Sequence, residues 1–431
     1  MSKTGHSDVA PTKKGKKKRR KGASLAPPRS TPPSSLTRER IEASCRIGTI
    51  EPLAAALTER VVGQDQAIDS LLCAFSRLLS GLHDPSRPLL TALLLGPTGV
   101  GKTETARALA EALFGSERAM VRVNCEEYVH GHEISKLLGS PPGYVGSQIE
   151  PLLSQRRIDE AHRGLREEWI AFPGEIPGIA ERLFGNEGDR YVSVVLFDEI
   201  EKAHPVVWDA LLGILEDGML TLGNNTTTDF TRSIILMTSN VGSREMGEVL
   251  ERRPVGFHAD PEAEKPTEAE IVDTALASVT EVFPYEFLNR FDEVLVYSPL
   301  GRQELDRIFD KFLADVHART VRQAQVPLVI RVSDEARALI VDLGTDPRFG
   351  ARPLRRAIER LLVDQLSRFI AASRLRPGDI VDVEVANGEL AFYRISKDEG
   401  LVASPHLSTL EGEPRAIHAA IEAPRRPNRS G

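Results

Sequence analysis

Residues Gly96, Pro97, Thr98, Gly99, Val100, Gly101, Lys102 and Thr103 have the types and spacing to hold a polyphosphate. The pattern G-x-x-x-x-G-K-[ST] is complete. Three glycines free the backbone N–H groups to turn inward around a β-phosphate, and the following helix N-terminus adds its partial positive charge. Lys102 adds a full charge, and Thr103 offers a hydroxyl to Mg²⁺. About ninety residues on, Asp198 and Glu199 close the apolar run Val194–Phe197. One carboxylate can complete a metal shell, and the other can orient and deprotonate a water. Ile234–Thr238 ends in Ser239 and Asn240. A polar residue there can hydrogen-bond a γ-phosphate or the water, or simply cap the next turn.

The elements that must position these groups are legible as alternating runs. Ala92–Leu95, Met120–Val123, Val192–Phe197, Ile234–Thr238 and Val294–Tyr297 are short and nearly continuously apolar, as in a parallel sheet covered on both faces. Ala106, Leu109, Ala110 and Leu113 recur at helical spacing directly after the glycine loop. Residues 46–300 are therefore expected to form an α/β three-layer domain. Its ligands are expected at the carboxyl edge of the sheet.

Beyond Pro299 the pattern becomes α+β over 301–397. Helices are expected at 302–322, 334–343 and 353–372, with strands at 328–332, 380–385 and 390–395. Asn387-Gly388 between the last two reads as a hairpin turn. Residues 398–431, rich in Pro, Arg and Glu, read as a flexible tail.

Charge is divided unevenly. Residues 1–40 carry twelve Lys and Arg against Asp8 and Glu39, a net +10 in a chain of −7, which leaves −17 beyond residue 40. With almost no large apolar residues, positions 1–45 are expected to be disordered. The run Lys13–Lys21 could bind nucleic acid or an acidic partner, or serve only as a solubilising tail. No apolar stretch reaches membrane-spanning length, and the N-terminus lacks a secretory core. Cys45, Cys73 and Cys125 have no metal-ligand spacing. These features together lead us to expect a cytoplasmic protein.

Seven stretches in order carry a resemblance: RVVGQDQAI (60–68), GPTGVGKTETARALA (96–110), GSPPGYVG (139–146), LFDEIEKAHP (196–205), MTSN (237–240), FLNRFDE (287–293) and GARPLRRAI (350–358). Over about residues 50–395 the chain resembles the AAA+ module of the Clp unfoldases, above all the second ring of ClpA, ClpB and ClpC. The resemblance implies a hexameric ring that hydrolyses ATP with Mg²⁺ and threads protein substrates through a central pore. It places Val62, Gly63 and Gln64 against the adenine and makes Asn240 the first sensor. Arg352 becomes the second sensor, and Arg290 the finger inserted into the neighbouring subunit's site. Arg290 could equally form a surface ion pair with Asp292 or Glu293. Tyr144 and Val145, on a glycine-flanked loop, become the pore residues that grip polypeptide through non-directional apolar contact.

The chain also departs from its relatives. Ser147, Gln148 and Ile149 follow the pore loop where the family is acidic and glycine-rich, and the stretch at about 150–190 is longer than usual. Trp169, Phe172, Ile176, Ile179 and Phe184 within it must pack on something: the ring surface, a partner, a substrate or the domain itself. The sequence is expected to lack the family's amino-terminal substrate domain and first ring. Val255, Gly256 and Phe257 resemble the ClpC tripeptide that docks on a ClpP-like peptidase, or are core residues of a turn. The alternative function is a regulatory or nucleic-acid-associated AAA+ ATPase tethered by the basic tail.

Overall fold

Six apolar or near-apolar positions in a row, Leu90–Leu95, make the first strand, β1, and every one is buried. Alternation divides them. Ala92 and Leu94 face one core, while Leu93 and Leu95 face another. A strand apolar on both faces is stable only between two layers of helix, and that is the arrangement found. The computed structural model describes residues 50–144, 147–161, 192–251, 268–322, 326–346 and 349–395. The basic run at 13–21, Cys45, Val145, the apolar stretch 166–189, residues 255–257 and the segment after 395 lie outside them.

Strands β2 (Val121–Asn124) and β3 (Ser193–Asp198) follow β1, then a hairpin of β4 (Met219–Thr221) and β5 (Thr227–Asp229). Strands β6 (Ser233–Ser239) and β7 (Glu293–Val296) complete a parallel sheet of order β2-β3-β6-β1-β7. The carboxyl ends of β1, β3 and β6 lie side by side, with Leu95 opposite Ser239 and Phe197 opposite Met237. That edge gathers the chemistry.

Helices α1 (Glu51–Arg60), α2 (Asp65–Leu79) and α3 (Lys102–Phe114) cover one face through Leu53, Leu57, Leu71, Phe75 and Leu109. Short helices α4 (Ile134–Leu138) and α5 (Gln155–Glu160) follow, then α6 (Pro205–Asp217), α7 (Ser243–Glu251), α8 (Glu268–Val282) and α9 (Tyr285–Leu288). Leu211 and Ile214 of α6 pack the other face with Phe283 and Phe287. The described start of the long stretch, 150–161, packs on its own domain. Leu153 and Ile158 join that second core, and the Gln155 side chain accepts the Asp229 N–H at 2.7 Å.

The C-terminal part has its own core of Leu305, Phe309, Ile340, Leu354, Ile358 and Val381. It comprises α10 (Arg302–Arg322), β8 (Val329–Val332), α11 (Asp334–Leu343), α12 (Arg352–Ile358), α13 (Asp364–Ala371), β9 (Ile380–Ala386) and β10 (Glu389–Ile395). A π-helical turn at Glu359–Val363 joins α12 to α13, so the helix expected at 353–372 is continuous but locally widened. Asn387 and Gly388 both have positive φ, 54° and 82°, as a type I′ hairpin requires. The parallel pairing of β8 with β9 is a product of the tertiary fold.

Candidate nucleotide site

The glycine loop between β1 and α3 needs its glycines for two reasons. Gly96, Gly99 and Gly101 have φ of 142°, 77° and 116°, which side chains resist. A Cβ on Gly99 would also stand 2.5 Å from the Phe349 carbonyl oxygen, and one on Gly96 would stand 2.6 Å from that of Tyr297. The loop is thus clamped between the end of β7 and the start of α12. The Ala351 N–H donates to Gly99 O at 3.0 Å, which sets Arg352 on the loop. The Arg352 Cγ lies 3.2 Å from the position of a Gly99 Cβ, and its side chain is exposed.

Lys102 is buried, and protein acceptors engage its ammonium. It donates to Pro97 O at 2.6 Å, to Asn240 Oδ1 at 3.0 Å and to Gly96 O. Burial pulls its pKa down to about 8, and Arg352 adds to the fall. The carboxylates of Glu201, Asp198 and Glu199 oppose it. The glycine loop and Asn240 therefore meet on one ammonium.

Asp198 ends β3, where Thr103 Oγ1 donates to its Oδ1 at 3.0 Å and Thr238 Oγ1 at 2.7 Å. Arg122 meets Oδ2 at 2.5 Å. Burial alone would raise this carboxyl's pKa. The hydrogen bonds from Thr238, Arg122 and Thr103 outweigh it and hold the group ionised, below its ordinary value. Thr103 and Asp198 thus present paired hard oxygen donors. Mg²⁺ takes one or two such protein ligands and completes its shell with phosphate and water, so the residues fit the ion. Among the described residues no cluster of three or more His, Cys, Asp or Glu could hold a metal without such help.

Glu199 is in the left-handed region, φ 60° and ψ 54°, a conformation that costs a non-glycine residue and marks a constrained site. Its N–H donates to Thr238 Oγ1 at 2.9 Å. Trp208 Nε1 fixes the following turn by donating to Ile200 O at 3.0 Å. The Glu199 carboxylate pairs with Lys202, which also pairs with Glu126. Those two acids raise the Lys202 pKa.

Val62 and Gln64 are buried at the entrance to α2, and Gly63 between them has a φ of 73°. Gln64 Nε2 donates to Ser298 O at 2.9 Å and to Val100 O at 3.3 Å, while its Oε1 accepts the Ser298 N–H at 3.0 Å. That side chain ties the segment to the glycine loop and to the exit of β7.

Arg290 stands apart from these groups. It pairs with Glu216 and, at 3.6 Å, with Glu286, and Glu216 raises its pKa. The pairing with Asp292 or Glu293 anticipated from sequence is not formed. Asp292 accepts the Thr91 N–H and hydroxyl at 2.8 Å each, and Glu293 pairs with Arg77. Within one chain, then, Arg290 is not brought to the phosphate loop.

Tyr144 is 70% exposed. Its N–H donates to Pro141 O at 3.2 Å, and Gly143 beside it has nothing within 4 Å of a built Cβ. The ring therefore projects from an open turn instead of packing beneath it. Ile149, on the same loop, is 69% exposed.

Sequence reasoning missed Arg122, Thr238, Glu201 and Lys202. Thr238 was legible as the strand residue before Ser239-Asn240, and Glu201 as the third acid of Asp-Glu-Ile-Glu. Arg122 and its partner Asp198, and Lys202 and its second partner Glu126, each lie 76 residues apart, so nothing local marks those pairings.

A family model described as AAA domain (Cdc48 subfamily) matches residues 87–159 and 180–294. A second, the C-terminal, D2-small domain of ClpB protein, matches 300–383. This chain belongs to the Clp-type AAA+ family. The first match is interrupted at 160–179, inside the stretch that reads as unusually long. Among curated relatives, the chain is 37% identical to the negative regulator of genetic competence ClpC/MecB of Bacillus subtilis, over 79% of this chain and 37% of that protein. It is 38% identical to chaperone protein ClpB of Pseudomonas putida, over 78% of this chain and 34% of that protein. It is 39% identical to the chloroplastic ATP-dependent Clp protease ATP-binding subunit ClpA homolog CD4B of Solanum lycopersicum, over 76% and 32%. The AAA+ chain thus spans about a third of the length of these relatives. Among its described residues no helix is long and apolar enough to cross a membrane.

Proposed function

We propose that this chain hydrolyses ATP in a ring of like subunits and uses the energy to unfold or remodel protein substrates drawn past Tyr144. The convergence of Lys102, Asn240, Arg352 and the Thr103–Asp198 pair on one loop carries the hydrolytic part. The exposed Tyr144 ring carries the mechanical part. Lys102, the glycine-loop amides and Arg352 neutralise the phosphates, and Val62 with Gly63 meets the base. Glu199 takes the proton of the attacking water as it adds to the γ-phosphorus, and the bond to the β–γ bridging oxygen breaks. Bound Mg²⁺ supplies further neutralisation of phosphate charge. Asn240 orients the water or the γ-phosphate. The neighbouring copy's Arg290 completes the site, exchanging its Glu216 partner for the developing charge.

A folded, tagged substrate tests this reading. Tyr144→Ala is expected to retain ATP turnover within about twofold while unfolding falls at least about tenfold, since an apolar grip is lost and the hydrolytic site is untouched. An unchanged unfolding rate would sink threading by this residue. The ClpA homolog's name extends the reading to a peptidase partner, with Val255, Gly256 and Phe257 as the docking tripeptide. Peptide release in the same assay, lost on Phe257→Ala, is the expected mark of that coupling.

A further inference from the structure

Glu201 follows the strained Glu199 on the 3₁₀ turn Ile200–Lys202. Its Oε1 accepts the backbone N–H of Asn240 at 3.0 Å. Its Oε2 is buried with no hydrogen-bond partner. A buried carboxylate oxygen left unpaired is costly, so a return is expected from the position of the group. The return is visible one bond further on. Asn240, held by its N–H, presents Oδ1 to the Lys102 ammonium at 3.0 Å, and Ser243 Oγ donates to Gly96 O at 3.2 Å from the same turn. Among the carboxylates acting on Lys102, Glu201 acts most strongly.

We propose that Glu201 is a positioning residue that fixes Asn240 at the end of β6, so that the amide side chain meets Lys102 and, with nucleotide bound, the γ-phosphate. A strand-end asparagine is otherwise free to rotate about its backbone, and a sensor that rotates cannot be preorganised for charge developing in the transition state. The proposal rests on the hydrolytic reading, but its first test does not.

Amide hydrogen exchange at Asn240 in the nucleotide-free protein reads the bond directly. Glu201→Ala is expected to lose protection there, while Glu201→Gln, whose amide oxygen still accepts the N–H, keeps it. In turnover assays Glu201→Ala is expected to lower kcat about tenfold with KM for ATP within about threefold, and Glu201→Gln to recover to within about threefold of the parent. Adding Glu201→Ala to Asn240→Ala is expected to cost less than about twofold more, because residues acting as one unit are not additive. Equal protection of the Asn240 amide in all three proteins would overturn the proposal. So would a full tenfold loss from Glu201→Ala in the Asn240→Ala background. Parent protein without turnover would overturn the hydrolytic reading, and the exchange comparison would still judge Glu201. If the Ala variant fails to fold, Glu201→Leu, of similar volume and without an acceptor, is expected to lose the same protection, and full protection of the Asn240 amide in it would overturn the proposal.

Discussion

Lys102 must hold a positive charge in a buried place before nucleotide arrives, and the structure meets that cost with acceptors at Gly96, Pro97 and Asn240. Burial still brings its pKa to about 8 from an ordinary 10.5. As pH rises through 8 the free protein loses this proton, whereas bound phosphates draw it back. ATP affinity is therefore expected to weaken above about pH 8, by up to about tenfold per pH unit, with proton uptake on binding. Calorimetry in buffers of differing ionisation enthalpy checks this; buffer-independent heats at pH 9 would refute it. Folding stability has the opposite sign over the same window. Between about pH 8 and 10.5 the unfolded chain holds more protons at this position than the folded one, so this residue's contribution to stability rises with pH.

At the level of elements, the glycine loop is a junction of three segments: the end of β7, the start of α12 and the loop itself. Gly99→Ala is a test of that junction. The φ of 77° and the 2.5 Å approach to the Phe349 oxygen are expected to cost about 1–3 kcal/mol together, read as a lowered thermal midpoint. Displacement of α12 also moves Arg352, so ATP affinity is expected to fall with stability. A variant as stable as the parent would show that the C-terminal part yields easily. The elements themselves were largely legible in the sequence. The five strands of the parallel sheet lie within two residues of the runs read from apolar pattern, because a strand covered on both faces has no other composition open to it. The hairpin Met219–Asp229 was not legible, since three-residue strands rich in Thr lack a period long enough to read. The π-turn in the last helix was equally silent, because it keeps the helical spacing of Leu354, Ile358 and Leu362 in the core.

In the whole molecule, the candidate nucleotide site is built from one side of the sheet edge. Lys102, Thr103, Asp198, Glu199 and Asn240 gather at the sheet edge, and Arg290 is held by Glu216 elsewhere. A finger supplied by the next subunit makes a specific prediction. Arg290→Ala and Lys102→Ala proteins are each expected to be nearly inactive alone, with Arg290→Ala losing on the order of 10³-fold in turnover. Mixed rings are expected to regain activity, because an Arg290→Ala subunit beside a Lys102→Ala subunit has one complete site at their junction. Mixing that restores nothing would place Arg290 outside the reaction.

The sequence by itself determined the loop, the acid pair, the sheet and the family, because phosphate binding and two-sided burial each demand residue types in fixed local order. Only the tertiary structure decided who partners whom. It put Arg122 and Thr238 on Asp198, Glu201 on Asn240, and the start of α12 on the glycine loop. Those contacts join residues 39 to 252 positions apart along the chain, and such separations are set by packing of the sheet and its covering helices, which leaves no mark in the local pattern.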